Sequence, residues 1–184
     1  MKEKVSTRRI VYVALLAALV YVGTMISFPL LGRKVRLANP VSLLGSLLLG
    51  PVFGGLASGF GSFIYDIQTG YGFESIITFV SKFIMAWVAG RIAFSGGHAA
   101  DDHKRNVIAS TAGAWTYVAL YMLKTYIFQR FVYGYPLDTV WATMLSKFPA
   151  SAINAVAAMI IAPILYTALR PALKSTGPLD AMRM

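Results

Sequence analysis

Long apolar runs recur from one end of this 184-residue chain to the other, and they restrict the fold more than any other feature. Each long run approaches the roughly 20 residues that an α-helix needs to cross a bilayer. Because the bilayer core offers the backbone no hydrogen-bond partners, such runs are helical there. Charged residues make up 13% of the sequence, well below the roughly 25% typical of soluble domains. The sequence therefore predicts an all-α integral membrane protein.

Turn and breaker residues divide these runs into a bundle of six predicted transmembrane helices within a single membrane domain, residues 1–184. Gly50-Pro51 separates the second helix from the third, and the second is too short to span a bilayer alone. Pro149 and Pro163 are candidate kinks in the long sixth helix, and Pro171 is expected to end it. The predicted helices cover about residues 10–30, 40–49, 52–67, 73–94, 106–131 and 137–169.

The distribution of Lys and Arg predicts that both termini are cytoplasmic, because cytoplasmic loops are enriched in these residues. If every segment crosses, ten basic residues share the side of the termini: Lys2, Lys4, Arg8, Arg9, Arg91, Lys104, Arg105, Arg170, Lys174 and Arg183. Four lie on the other side: Arg33, Lys34, Arg36 and Arg130. The cluster at 33–36 opposes the rule, and it is either functional or tolerated in a short loop. The net charge of +10 thus fits contact with anionic lipid, and no nucleic-acid partner is expected.

Three lysines lie inside predicted helices, namely Lys82, Lys124 and Lys147. Ionisable residues within a membrane are costly and usually face a cavity or a partner. At roughly 1.5 Å per residue, all three lie about 10–15 Å below the outer ends of their helices. Snorkelling toward the headgroups would explain a single lysine. Three lysines at one depth instead favour a cavity that opens to the outside.

Helical spacing places further polar and aromatic residues beside these lysines. Three faces result, formed by Thr143, Lys147, Ser151 and Asn154, by Tyr117, Tyr121, Lys124 and Phe128, and by Ser75, Thr78 and Lys82. Asp66 lies near the outer end of the third helix. Tyrosine rings with a few hydrogen-bond donors suit a flat, polar aromatic ligand. The candidate substrate-binding residues are therefore Lys82, Lys124, Lys147, Asn154, Tyr121, Tyr117 and Asp66.

Two other features bear on partners and on catalysis. Ala14 and Ala18 are four residues apart on the first helix, and small residues at this spacing permit close helix contacts, either within the chain or with a partner. The chain has no cysteine, and its two histidines, His98 and His103, lie in a polar loop. Asp66 with Glu74 is a possible carboxylate pair, but it lies at a loop. We therefore expect neither an enzyme nor a cofactor or metal site.

The segment LLGSLLLGPVFGGLASGFG at 43–61, followed by Tyr65-Asp66 and by ITFVSKFIMAWVAG at 77–90, resembles the S components of energy-coupling factor (ECF) vitamin transporters. It is similar in particular to the riboflavin-type group, whose members also serve other vitamins. The basic N-terminus, ALLAAL at 14–19 and the six-helix layout agree, so the resemblance covers about residues 8–170. GPxxG at 50–54 and the region of Lys82 are its most specific parts, and neither is a catalytic signature.

The resemblance implies a multi-pass subunit of the bacterial cell membrane that captures a vitamin or vitamin precursor from outside. Ala14 and Ala18 match the surface that docks on the transmembrane coupling subunit. The ligand is expected beneath the loop joining helices 1 and 2, a region that residues 33–39 match, which adds Arg36 and Asn39 to the candidates. Like the family, this chain lacks a GxxxxGK[ST] loop, so the coupling subunit and two ATPases are implied partners.

These residues restrict the identity of the ligand only in part. The lysines and aromatic residues suit a pyridoxine-like or hydroxymethylpyrimidine-like ring best. Riboflavin and cobalamin remain alternatives within the family. A stand-alone small-molecule carrier is the alternative outside it.

Overall fold

The computed structural model describes residues 7–30 and 33–175, and within these ranges the chain forms five α-helices and one β-hairpin. Three residues of the orientation count, Lys2, Lys4 and Arg183, lie outside the described residues, as do the side chains of Arg33 and Lys34. The elements are α1 (Thr7–Met25), β1 (Ser27–Leu30), β2 (Arg33–Arg36), α2 (Ala38–Gln68), α3 (Glu74–Ala93), α4 (His103–Ile127) and α5 (Leu137–Ser175). A 3-10 turn at Ser95–Gly97 precedes α4, and a π-helical turn at Phe128–Val132 follows it.

Four of the described helices, α1, α2, α3 and α5, are long and apolar enough to cross a membrane. In contrast, α4 mixes apolar residues with polar and small ones through its middle, including Ser110, Thr111, Gly113 and Thr116. Ser110 and Gly113 are buried, and the Thr111 hydroxyl lies 3.8 Å from Met159 Sδ on α5. The predicted class, a helical integral membrane protein, is confirmed.

The predicted second and third helices belong to one element, α2, so the described chain has five helices and the six-helix count is not confirmed. Only Gly50 leaves the helical conformation, with φ 79° and ψ −176°. A glycine adopts this left-handed region without steric cost. Pro51 then restarts the helix at once, because its fixed φ suits the first helical position. The break expected at Gly50-Pro51 is present, but it takes a single residue.

The break at Gly50 turns the chain back on itself. A methyl group at Gly54 would lie 2.5 Å from Ser46 Cα, so the two halves of α2 are in backbone contact. The side chain of Asn39 meets Lys82 midway along α3, while Gly90 near the end of α3 lies against Pro51. Residues 38–49 therefore run alongside α3 in the same direction, and residues 51–68 return antiparallel to it. The short first half begins at the depth of Lys82.

The first helix was predicted to extend to about residue 30, and this boundary is wrong. It ends at Met25, and Ser27–Leu30 pairs antiparallel with Arg33–Arg36, with Ser27 opposite Arg36. The physical reason is Pro29, which restricts the preceding Phe28 to extended conformations. The Leu37 N–H then donates to the Ile26 carbonyl at 3.4 Å, which closes the β-hairpin onto the end of α1.

Two later boundaries also differ from the prediction. The Asp102 side chain accepts a hydrogen bond from the Lys104 N–H at 2.9 Å, so α4 begins at His103 rather than at residue 106. The last predicted helix does not stop at Pro171 but continues to Ser175, with Pro149 and Pro163 also inside it. Prolines are tolerated in transmembrane helices where neighbouring groups satisfy the freed carbonyls.

Both described ends of the chain lie at the same end of the bundle. The Arg9 guanidinium lies 4.0 Å from the centre of the Phe53 ring, close to the Gly50 bend. Near the end of α5, Arg170 binds Asp101 of the α3–α4 connection at 2.6 Å. The β-hairpin and the α2–α3 and α4–α5 connections occupy the opposite end. The predicted orientation, with both termini cytoplasmic, requires this arrangement.

An apolar core separates the two ends. Leu43, Met85, Ala114 and Val118 pack together between α2, α3 and α4, and each is at most 4% exposed. Leu43 lies one turn below Asn39 on α2, so this core begins directly beneath the depth of Lys82. Gly113 permits the close approach, because a methyl group there would lie 2.8 Å from the Met85 carbonyl oxygen. The core closes the bundle toward the end that holds the termini.

Candidate functional site

A cavity of about 710 Å³ lies at the end of the bundle that carries the β-hairpin. Its walls come from all five helices and from β2, and nearly all of its lining residues are polar or aromatic. All nine candidate substrate-binding residues line it: Lys82, Lys124, Lys147, Asn154, Tyr121, Tyr117, Asp66, Arg36 and Asn39. The folded chain thus brings together residues that are more than 100 positions apart. That they bind substrate stays a prediction.

The most buried cation of the cavity is Lys82, at 5% exposure. Its ammonium donates a hydrogen bond to Asn39 Oδ1. It also lies 4.1 Å from the centre of the Tyr117 ring, a distance at which the ring face attracts a cation. Asn39 reaches it because the first half of α2 starts at this depth. The charge is held by an amide oxygen and an aromatic ring rather than by a carboxylate.

Tyr117 and Tyr121 form an aromatic wall, one helical turn apart on α4. Their ring centres are 6.3 Å apart and the ring planes differ by 24°. A flat ring of a ligand stacks favourably against such faces. Because Lys82 sits over the first of these rings, the wall and the buried cation are neighbours in the cavity.

A charged cluster at the outer end of the cavity connects three segments. Lys124 on α4 pairs with Glu74 at the start of α3, with 2.8 Å between Nζ and Oε2. The Tyr133 hydroxyl, from the α4–α5 connection, donates to Glu74 Oε1 at 3.2 Å. The Glu74 carboxylate also raises the pKa of the Tyr133 phenol, so the phenol keeps its proton and remains a donor. Lys124 therefore already has an anionic partner in the protein.

Asn154 links the β-hairpin to α5 on the opposite wall of the cavity. Its Oδ1 accepts a hydrogen bond from the Arg36 N–H at 2.8 Å, and its Nδ2 donates to the Ala150 carbonyl at 2.8 Å. The Arg36 guanidinium lies 6.0 Å from the centre of the Tyr65 ring. Asn154, on α5, therefore binds β2 directly, a role that the polar face predicted for the last helix did not indicate.

A family model for the S component of the ECF-type riboflavin transporter matches residues 4–171. The chain belongs to this family. Its members are multi-pass proteins of the bacterial cell membrane and substrate-binding subunits of vitamin transporters, so the family is not an enzyme class. The family implies the ECF transmembrane subunit and ATPase subunits as partners. A comparison with curated proteins gives no match.

Ala14 and Ala18 of this S component are both exposed along α1. The buried face of the helix is formed instead by Leu16, Ala17 and Val20. Ala17 makes the close internal contact, because its carbonyl oxygen lies 2.4 Å from where a methyl group at Gly61 would be. Close packing of α1 within the chain is therefore made by Ala17 and not by the Ala14 and Ala18 pair. Docking by Ala14 and Ala18 stays a prediction.

The three predicted polar faces of this S component do not contribute equally. Lys147 lines the cavity but is exposed, so it lies at the rim. Thr143 and Ser75, which the helical spacing had grouped with the lysines, are not part of the lining. The lining residues that the sequence interpretation missed include Thr24, Ser62, Tyr71, Ser81 and Tyr133. A signal existed for one of them, because Ser58, Ser62 and Asp66 recur every four residues on α2.

Proposed function

We propose that this S component captures a pyridoxine-like or hydroxymethylpyrimidine-like compound from outside the cell. It then delivers the compound to an ATP-driven importer made with the coupling subunit and two ATPases. The observation that carries this proposal is the position of the Tyr117–Tyr121 wall beside the buried Lys82 and Asn39. Stacking supplies contact area for a small flat ring, and the buried donors fix its orientation.

Further polar groups of the cavity suit the ring substituents of such a compound. Ser62 is 2% exposed and lines the cavity, and its hydroxyl has no hydrogen-bond partner among the described residues. A buried hydroxyl without a partner carries a desolvation cost that a ligand hydroxyl would relieve. Asp66 and Arg36, which also line the cavity, supply an acceptor and a donor. Hydroxymethyl groups and ring nitrogens are the matching partners.

Riboflavin is the second candidate, because two observations favour it. The matched family is described by riboflavin transport, and the cavity of about 710 Å³ exceeds what a single six-membered ring fills. The tyrosine wall would stack equally well on a flavin. Cobalamin is less favourable, because a corrinoid is bulkier than this cavity.

The deciding experiment identifies the ligand that stays with the purified chain. We expect mass spectrometry of the released ligand to detect a pyridoxine-like or hydroxymethylpyrimidine-like compound, and titration of the emptied protein to give tight binding of the same compound. Tyr121→Leu should weaken this binding about 10-fold through loss of a stacking face. Tyr135→Leu, at an exposed tyrosine outside the cavity, should leave it unchanged. Recovery of riboflavin instead would reject the proposed ligand and favour the second candidate.

A further inference from the structure

We propose that the Lys82 ammonium binds a single ionised ring oxygen of the ligand, which selects a hydroxypyridine over a hydroxymethylpyrimidine. This inference rests on the proposed function and narrows its ligand class. A hydroxypyridine presents such an oxygen when its ring nitrogen holds the proton. A hydroxymethylpyrimidine has no hydroxyl group attached directly to its ring, and therefore no such oxygen to ionise.

The first support is the charge balance of the cavity. Its lining includes four cationic side chains, Arg36, Lys82, Lys124 and Lys147, and two carboxylates, Asp66 and Glu74. Glu74 is paired with Lys124 at 2.8 Å. No carboxylate lies within ion-pair distance of Lys82 in the part of the chain that the structure describes. Buried charges are normally paired, so the partner missing at Lys82 is an anion that the ligand supplies.

The second support is the number of donors that Lys82 has free. An ammonium group carries three N–H donors. One bonds to Asn39 Oδ1, and the face of the Tyr117 ring takes up a second direction. One donor is then left for the ligand. A single donor suits one oxygen atom bonded to the ring, whereas a phosphate needs several donors around it.

The third support is the start of α2, which faces the same region. Ala38 and Asn39 line the cavity, and no side chain caps this end of the helix. The N–H groups at a helix start are unsatisfied and carry partial positive charge, which favours an anion nearby. Because Asn39 also holds Lys82, the helix start and the ammonium act on the same part of the ligand. The aromatic wall places the ring of that ligand beside them.

The test compares pyridoxine with its 3-deoxy analogue, which lacks the ring hydroxyl, by equilibrium binding to the purified chain. The wild type should bind pyridoxine at least about 10-fold more tightly than the analogue, the usual effect of one charge-assisted hydrogen bond. Lys82→Met should bind the two compounds equally and the analogue about as well as the wild type does. Lys174→Met, at an exposed lysine near the end of α5, should keep the wild-type preference.

A second variant keeps the test valid if Lys82→Met does not fold. Asn39→Asp retains an acceptor for Lys82 but supplies the missing negative charge from the protein. We expect it to reduce the preference for pyridoxine over the analogue. An unchanged preference in Lys82→Met, or in Asn39→Asp where Lys82→Met does not fold, would overturn the inference and leave the proposed function standing, as would a wild type without preference. Binding of riboflavin with no binding of either pyridine would overturn both.

Discussion

Lys82 and Lys124 are the same residue type at a similar predicted depth, yet their surroundings give them different roles. Lys124 pairs with a carboxylate of the protein, and its side chain is 15% exposed. Lys82 is more deeply buried and is held by an amide oxygen and an aromatic ring. The first contact joins helices, while the second leaves a charge for the ligand. The predicted common depth of the two lysines is therefore wrong, because Lys124 meets the first residue of α3, whereas Lys82 meets Tyr117, which lies seven residues before Lys124 on α4.

The pair formed by Lys124 and Glu74 should contribute measurably to stability. Glu74→Gln leaves Lys124 partly buried without its partner, and we expect a loss of about 1 kcal/mol in the free energy of unfolding, after allowance for the partial exposure of both groups. The double variant Glu74→Gln/Lys124→Met should lose less than the sum of the single variants. Denaturant unfolding in detergent measures both effects. Asp101→Asn, in the more exposed pair with Arg170, should cost under about 0.5 kcal/mol. Additive single variants would contradict the pairing.

The lysines could be predicted as cavity residues because the sequence alone shows that they lie inside apolar helices, where a charge is costly, and that polar residues recur beside them at helical spacing. Their partners could not be predicted in the same way. Glu74 meets Lys124 only because α3 and α4 are neighbours, and Asn39 meets Lys82 only because α2 begins at mid-depth. Asn154 was expected in the cavity, but its bond to the backbone of Arg36 depends on a β-hairpin that the sequence analysis did not foresee.

Among the elements, α2 shows how a breaker can be located from sequence while its consequence is not. Gly50-Pro51 marks a break, but φ and ψ at one glycine decide whether the chain bends slightly or reverses. The reversal also depends on Gly54, whose backbone lies against Ser46. For the β-hairpin, Pro29 argues against helix, but pairing with residues 33–36 is a contact between two segments that periodicity does not report.

The tight reversal of α2 predicts opposite outcomes for two glycines of the same helix. Gly54→Ala places a methyl group 2.5 Å from Ser46 Cα, and backbone atoms cannot yield cheaply, so we expect a loss of about 1–3 kcal/mol. Gly45→Ala meets only Leu16 Cδ1 at 3.8 Å and should be neutral or stabilising. Thermal unfolding in detergent compares the two. Because Asn39 is positioned by the packing of the two halves of α2, Gly54→Ala should also weaken ligand binding. Equal stability of the two variants would refute the close packing of the two halves of α2.

The exposed face of α1 is predicted to dock on the coupling subunit. Ala14→Trp or Ala18→Trp should abolish transport by the assembled complex, because a bulky side chain blocks the close contact that small residues permit. Ligand binding by the isolated chain should be unaffected, since both residues lie outside the cavity lining. Leu123→Trp, at an exposed apolar position of α4, serves as the control and should leave transport intact. Loss of binding together with transport would point to an internal role for the alanines.

Across the whole molecule, polarity is distributed unequally between the two ends. The cavity holds the buried charge, while the apolar core around Leu43 and Met85 closes the bundle beneath it. Among the described residues, Lys82 is the only buried side chain with a formal charge. Proton and ion relays across a membrane need a chain of ionisable groups. Below the cavity, the described helices contain no such chain of buried ionisable groups.

This asymmetry predicts that the chain binds its ligand but does not transport it alone. The sequence contains no GxxxxGK[ST] loop, and the family implies ATPase subunits as partners. We therefore expect the energy for inward release to come from ATP hydrolysis by these subunits, with the S component moving as a unit. We expect proteoliposomes that contain only this chain to bind ligand at the outer face and to accumulate none inside, with or without an ion gradient. Adding the coupling subunit and the ATPases with internal ATP should produce accumulation, and ATPase variants unable to hydrolyse ATP should not. Robust accumulation by the chain alone under an ion gradient would establish a stand-alone carrier, even if the cavity bound the expected ligand.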